Sequence, residues 1–347
     1  MKSILSIVAA SIALAACAPM SRLPPVDQKA TQVERDKQLE LALRENFKRT
    51  ARLNAVGWRV LSANTDACGE AVQPGYGVIS RDADSLPAEY RPIFEKIYGS
   101  HPHEVILAVF PDSPAARAGL LPGDLIVTIG NRETTTTENK KAGRELAMKT
   151  KAGETLQLRI RRAGIDKVVT VSPQLTCAYP IDLVSDDSVN AGADGGRIAV
   201  TSGMMRFATT DDELALVLGH ELAHNTLKHV QAQMGNRMIG TLLGIAVSIA
   251  IGVDVSGLGG DLAGMVYSQE FEAEADYVGT YYVAKAGFPV EQAADFWRRM
   301  AVEHPKAIAH GSTHPDTASR FTGIEAAARE VAAKRAAGRP LVPEMKE

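Results

Sequence analysis

The chain has 347 residues, 38 Lys and Arg against 41 Asp and Glu, and a formal net charge of −3 at pH 7. That length leaves room for two domains and a sizeable core. The near balance of charge, with no block of one sign, points away from a nucleic-acid partner. Aromatic residues make up 5% and glycine numbers 29, a composition suited to closely packed helices and tight turns.

The N-terminus carries a short basic head, Met1-Lys2-Ser3, and then a 13-residue apolar run from Ile4 to Ala16. This is the length of a signal-peptide core and too short to span a bilayer. The run closes on Leu14-Ala15-Ala16-Cys17, which resembles the lipobox of bacterial lipoproteins. That resemblance implies a signal peptide over 1–16 and a mature chain acylated at Cys17. With Ala18 following rather than Asp, it implies a place on the periplasmic face of the outer membrane. The remaining cysteines, Cys68 and Cys177, are an even number, as an oxidising compartment favours. A bridge between them would close a loop of about 110 residues, for which chain entropy allows roughly 4–5 kcal/mol.

After a proline-bearing tether (17–26), residues 27–70 are read as the N-terminal helical part of a metal-binding domain. Val33, Leu39, Leu43, Phe47 and Leu53 recur at helical spacing, and their stripe is expected to pack on that domain. Residues 71–173 change to strands and turns. The run Ser113-Pro114-Ala115-Ala116-Arg117-Ala118-Gly119-Leu120, continued by Gly123-Asp124-Leu125-Ile126, resembles PDZ domains of the bacterial protease-associated kind. The resemblance implies that Gly75, Tyr76, Gly77 and Val78 form the loop that binds a peptide carboxylate, the peptide adding as a strand to an open edge. A long stretch, 80–100, separates this loop from the next strand and departs from the usual pattern. Because Cys68 and Cys177 bracket the module, it reads as an insertion pinned at its entry and exit.

Asp194 to Gly203 reads as a short strand bounded by glycines. Gly196, Ile198 and Val200 are its candidate substrate-pairing residues, on the expectation that it is an edge strand. Next comes His220-Glu221-Leu222-Ala223-His224, inside an apolar-periodic run led by Thr210-Asp211-Asp212-Glu213, a polar cluster suited to cap a helix. On a helix the two histidines stand one turn apart and can face one ion, while Glu221 is placed to reach water rather than the ion. Met238 to Val253 is the longest apolar run; with the glycine-rich 256–264 it suggests a buried helix, a membrane-touching hairpin or a lid. Ser268 to Gly279 follows. There Glu272 and Asp276 share a helix face, beside the small residues Ala275 and Gly279, which permit a close approach to the metal helix. Spacing leaves Glu272 and Glu274 both open as a third ligand and puts Glu274 on a solvated face. His229, about 140° from His224 on a continued helix, reads as structural. Arg320 is placed to hold a carboxylate such as Glu272 or Asp276.

Gly195 to Gly203, the H-E-L-A-H motif, E-A-E-A-D-Y-V-G and Thr313-His314-Pro315 together resemble the M48 metallopeptidases, the Ste24 and HtpX-like gluzincins. The resemblance covers roughly residues 25–70 and 175–325. It implies zinc held by His220, His224 and Glu272, Asp276 in support, Glu221 as the acid–base group, and His314 near the active site. Gly192 and Asp194 stand where the family often has an aromatic and a proline, which leaves the shape of the substrate strand open. The fold class expected is α+β: a mainly helical zincin metallopeptidase domain (174–330, with 27–70) with a small β-sheet, an inserted PDZ domain, and a C-terminal tail (331–347). The function expected is zinc-dependent proteolysis of unfolded or misassembled envelope proteins by a lipid-anchored chain, with a homo-oligomer or an assembly-machinery partner left open. The alternative is a latent or non-catalytic chaperone or adaptor that binds peptide C-termini through the PDZ domain.

Overall fold

The computed structural model describes residues 21, 24–233, 267–303 and 318–345. Cys17, the apolar run 238–253, the glycine-rich 256–264 and His314 lie outside them. The described chain is α+β, and no described helix is long and apolar enough to cross a membrane.

Helix α1 (Gln28–Ala63) begins where Asp27 caps it, the Asp27 carboxylate accepting from the Ala30 N–H at 3.0 Å. Its stripe serves both modules rather than the metal domain alone. Val33 is exposed, Leu39, Leu43 and Phe47 pack with Ile93, Phe94 and Val105, and Leu53, Val56, Val60 and Leu61 enter the metal-domain core. On another face of the second stretch Trp58 turns to Ala108 and Phe110. The switch of partner along one helix follows from the drift of a three-and-four spacing around its axis.

Strand β1 (Val72–Gly75) pairs antiparallel with β8 (Gln174–Cys177), and the two form a neck closed by the Cys68–Cys177 disulfide, with Cα atoms 5.7 Å apart. Between them lie β2 (Val78–Arg81), α2 (Arg91–Tyr98), β3 (Glu104–Val109), α3 (Pro114–Arg117), β4 (Leu125–Ile129), β5 (Arg132–Glu133), α4 (Thr137–Lys149), β6 (Leu156–Arg162) and β7 (Ile165–Val171). The sheet runs β2-β3-β4-β6-β7, with β5 against β4, and packs Ile106, Leu120, Ile126, Leu158 and Ile160 into its own core. The long stretch 80–100 supplies α2, whose Ile93 and Phe94 meet α1. It is therefore the insert that docks the module on the helix.

The metal domain continues with β9 (Ile181–Val184), β10 (Ala191–Ala193), β11 (Ile198–Thr201), α5 (Ser202–Phe207), α6 (Asp211–Thr226), α7 (Gln269–Lys285), α8 (Ala293–Glu303) and α9 (Ala318–Ala336). Its sheet order is β10-β11-β9, β9 pairing parallel to β11. This corrects the expectation for Gly196, Ile198 and Val200. β11 is the central strand, Ile198 and Val200 are buried, and Gly196 sits in the exposed turn before it. Alternation along a strand cannot show that an earlier segment comes back to cover its edge; among the described residues the edges are β10 and β9. Helix α9 runs to Ala336, past the boundary drawn at 331. The chain after it folds back, Lys334 Nζ donating to the Val342 carbonyl at 2.6 Å.

Candidate metal centre

Helix α6 starts with a reciprocal capping box: Thr210 accepts from the Glu213 N–H, and the Glu213 side chain accepts from the Thr210 N–H. Three acidic residues in its first turn suit the helix dipole. Helix α7 lies directly against it at a glycine pair. A Cβ on Gly279 would stand 3.0 Å from the Gly219 carbonyl and from the His220 Cα, and one on Gly219 would come within 2.9 Å of the Gly279 oxygen. Only hydrogen fits at this crossing, so the two helices present their polar residues to each other across a short gap.

Three donors converge there. His220 Nε2 and His224 Nε2 are 3.1 Å apart, His224 Nε2 is 3.4 Å from Glu272 Oε1, and His220 Nε2 is 3.5 Å from Glu272 Oε2. All three residues are buried, and among the described residues they are the group able to hold a metal ion. Tetrahedral zinc with bonds of about 2.0–2.1 Å spaces its ligand atoms about 3.3 Å apart; the two imidazole nitrogens stand near that spacing, and one donor atom from each of the three residues lies within 4.8 Å of the others, so the set fits such an ion. Glu221, Glu272 and Asp276 are buried carboxylates, and the buried guanidinium of Arg320 lies against two of them, Glu272 and Asp276.

Arg320 clasps both carboxylates of α7: Nε and Nη2 donate to Asp276 at 2.7 and 2.8 Å, and Nη1 stands 2.9 Å from Glu272 Oε2. Asp276 Oδ1 lies 3.0 Å from His220 Nδ1, a contact that favours the ring proton on Nδ1 and leaves Nε2 free as a donor atom. Burial raises the Asp276 carboxyl, but the Arg320 charge and hydrogen bonds outweigh it and hold the group below its ordinary value. Burial likewise pushes the His220 imidazole toward its neutral form, and the carboxylates of Asp276 and Glu272, which accept from the protonated ring, reverse this, taking its pKa up to about 10. Trp297 of α8 lies tilted against His220 at 5.2 Å between centroids; it had no sequence signal, being one of 2 tryptophans with no motif around it.

Residues 156–328 match the model of peptidase family M48, and residues 105–162 match the PDZ domain model. The chain carries an M48 peptidase domain and a PDZ domain. The M48 match overlaps β6 and β7, which the fold pairs with the PDZ sheet. Over 182 residues the chain is 29% identical to the mitochondrial metalloendopeptidase OMA1 of Schizosaccharomyces pombe, covering 49% of this chain and 53% of that one. The beta-barrel assembly-enhancing protease of Yersinia pestis is 29% identical over 150 residues, 39% of this chain and 31% of that one. The chain thus spans about half or less of the length of these relatives. Among solved structures, the HtrA-type protease AlgW with decapeptide aligns at 26% identity and a TM-score of 0.25, over 30% of each chain.

Around the M48 centre the structure brings together His220, Glu221, His224, Glu272, Asp276 and Arg320, all marked in the sequence. It adds a contact at two others. Glu274 is exposed, as expected, and its carboxylate lies 3.2 Å from His229 Nε2; His229 is not among the three candidate ligands, but its Nδ1 lies 3.0 Å from His224 Nδ1. His229 is buried, and that burial holds it below the ordinary imidazole value. The 140° separation presumed an unbroken helix, but α6 ends at Thr226 and Lys228 takes a left-handed φ of 57°. Asn225 and Tyr267 were missed. The Asn225 amide accepts from the Gly195 N–H at 2.8 Å and donates to the Arg197 carbonyl at 3.1 Å, fixing the turn between β10 and β11 to the metal helix. Tyr267 stacks on His224 at 4.0 Å and donates to the Ala193 carbonyl of edge strand β10 at 3.0 Å.

In the PDZ domain, Gly75 and Gly77 lie under Trp58 of α1, and the Tyr76 hydroxyl donates to the Ala147 carbonyl of α4 at 2.8 Å. The Gly77 carbonyl accepts from the Phe110 N–H. Val78 to Arg81, Arg144, Asn46, Thr50 and Asn54 of α1, and Ile181 to Leu183 of β9 enclose a cleft of about 460 Å³.

Proposed function

We propose that the chain is a zinc-dependent endopeptidase of the bacterial cell envelope that degrades misfolded or unassembled proteins. The observation that carries this reading is the convergence of His220, His224 and Glu272 with Glu221 on the same helix. When bound, zinc supplies Lewis acidity toward a peptide carbonyl and acidifies water. Glu221 takes up the proton of the attacking water and delivers it to the leaving amine. Asp276 and Arg320 keep His220 in the tautomer that binds through Nε2. An extended substrate pairs along β10, the edge strand that Tyr267 and Asn225 tie to the metal helix.

The PDZ domain offers β2, the edge strand of its sheet, to an unfolded chain terminus, with Gly75 to Val78 at the carboxylate end. Cys17 anchors the chain by lipid on the periplasmic face of the outer membrane, on the strength of its lipobox, and His314 acts at the active site, on the strength of the family-matching Thr-His-Pro. The test is digestion of an unfolded protein such as casein by zinc-loaded wild type and Glu221→Gln. Cleavage by the wild type alone, with equal zinc in both, is expected; equal cleavage by both would remove the enzyme reading.

A further inference from the structure

We propose that His229 and Glu274 form an outer support for His224, holding its ring angle and tautomer and so setting the metal affinity of the site. This rests on the reading of His220, His224 and Glu272 as ligands.

The hydrogen-bond pattern admits one consistent assignment of protons. His224 Nε2 faces His220 Nε2 and Glu272 Oε1, so as a ligand it must be free of hydrogen there and protonated at Nδ1. That proton points to His229 Nδ1 at 3.0 Å, which must then be a bare acceptor. His229 therefore carries its own hydrogen at Nε2, 3.2 Å from Glu274 Oε2, where a carboxylate accepts it. Every ring nitrogen in the chain of contacts has one role, and the Glu274 charge is conveyed to a fully buried ligand through a neutral ring.

The backbone is bent to make this contact. A left-handed conformation is disfavoured at a residue with a side chain such as Lys228, and it is the step that folds His229 back over His224 instead of round the helix. Phe271 then holds the ring from its far side, stacked at 4.5 Å and 16°. Apolar packing alone needs neither the bend nor an imidazole at this position. The two ligand histidines are thus supported differently: His220 directly by a carboxylate that Arg320 neutralises, His224 through an imidazole by a carboxylate whose side chain is 45% exposed.

The test is zinc affinity, measured by competition with a chelator, together with the visible spectrum of the cobalt-substituted protein. Wild type is compared with His229→Leu, His229→Gln and Glu274→Ala, with melting of the metal-free forms as a check of fold. His229→Leu is expected to weaken zinc binding on the order of 10–100-fold and to shift the cobalt bands. His229→Gln, whose amide oxygen can accept from His224 and whose NH2 can donate to Glu274, is expected to restore most of both. Glu274→Ala is expected to weaken binding less than His229→Leu. Unchanged affinity and spectrum in a folded His229→Leu overturn the proposal. Should that variant not fold, unchanged affinity in Glu274→Ala, which alters a half-exposed side chain, overturns it instead. A wild type that binds zinc but cleaves nothing counts against the proposed function while the order of affinities still decides this one. A wild type that takes up no zinc overturns both.

Discussion

In the PDZ module the buried charges meet partners of opposite sign: Asp82 pairs with Lys140, Glu104 with Arg144, and Asp124 is gripped by both arms of Arg162. The peptidase core instead joins its buried charges in one network: Arg320 meets both Glu272 and Asp276, and Asp276 also lies against His220. Both regions are well packed, so the contrast is not one of quality. Separate pairs close loops and are complete in themselves, whereas a network that converges on two imidazoles and a carboxylate aimed at one point is arranged to hold an ion as well. That convergence marks the functional region as clearly as the motif does.

The largest effect that would break this contrast is expected from Arg320→Met. It leaves Asp276 and Glu272 buried with no guanidinium, and about 4 kcal/mol of stability should go from the metal-free protein. Zinc should recover part of that loss; unfolding with and without zinc measures it, and an equal loss in both would contradict the joining of Arg320 to the metal network. Next is Asp82→Asn, which strands the buried Lys140 and should cost the PDZ module about 3 kcal/mol while zinc affinity stays at the wild-type level. This substitution carries a pH signature. Burial raises the Asp82 carboxyl, but hydrogen bonds from Lys140 and Ser85 more than offset it and hold the group below its ordinary 3.8. A depressed carboxyl contributes stability that is present above its unfolded pKa and lost as pH falls through the lower folded value. The wild-type module should therefore weaken in acid below about pH 4, and melting of Asp82→Asn should lack that part of the slope. The smallest stability effect is expected from Gly279→Ala. Its added methyl meets backbone on the facing helix, and overpacking of this kind costs about 2 kcal/mol. Because it spreads α6 from α7, however, zinc content should fall further than stability does; titration beside a thermal melt compares the two.

The parts of the site that share a helix were legible in the sequence because helical geometry converts spacing into direction. His220 and His224, and Glu272 with Asp276, stand one turn apart, and small residues at 275 and 279 signal a close neighbour. Arg320 was legible from its charge and the carboxylates it had to meet. His229 and Glu274 were not, since one left-handed residue at Lys228 breaks the period on which the reading depended. The role of β11 was misread for a different reason: glycine and alternation show a strand but not its neighbours, and β9 arrives from before the turn. The double duty of α1 was hidden in the same way, because the stripe names the face of a helix and not what lies against it.

The neck at Cys68 and Cys177 has a consequence for the history of such a chain. The PDZ module leaves the peptidase core and re-enters it through one doorway, with Cα atoms 5.7 Å apart. A segment whose ends meet can be spliced in or out, or exchanged for another, without rerouting the host's backbone. Recognition and cleavage then become separately replaceable, and lineages could renew the one while keeping the other, with α1 as the surface each newcomer must learn to fit.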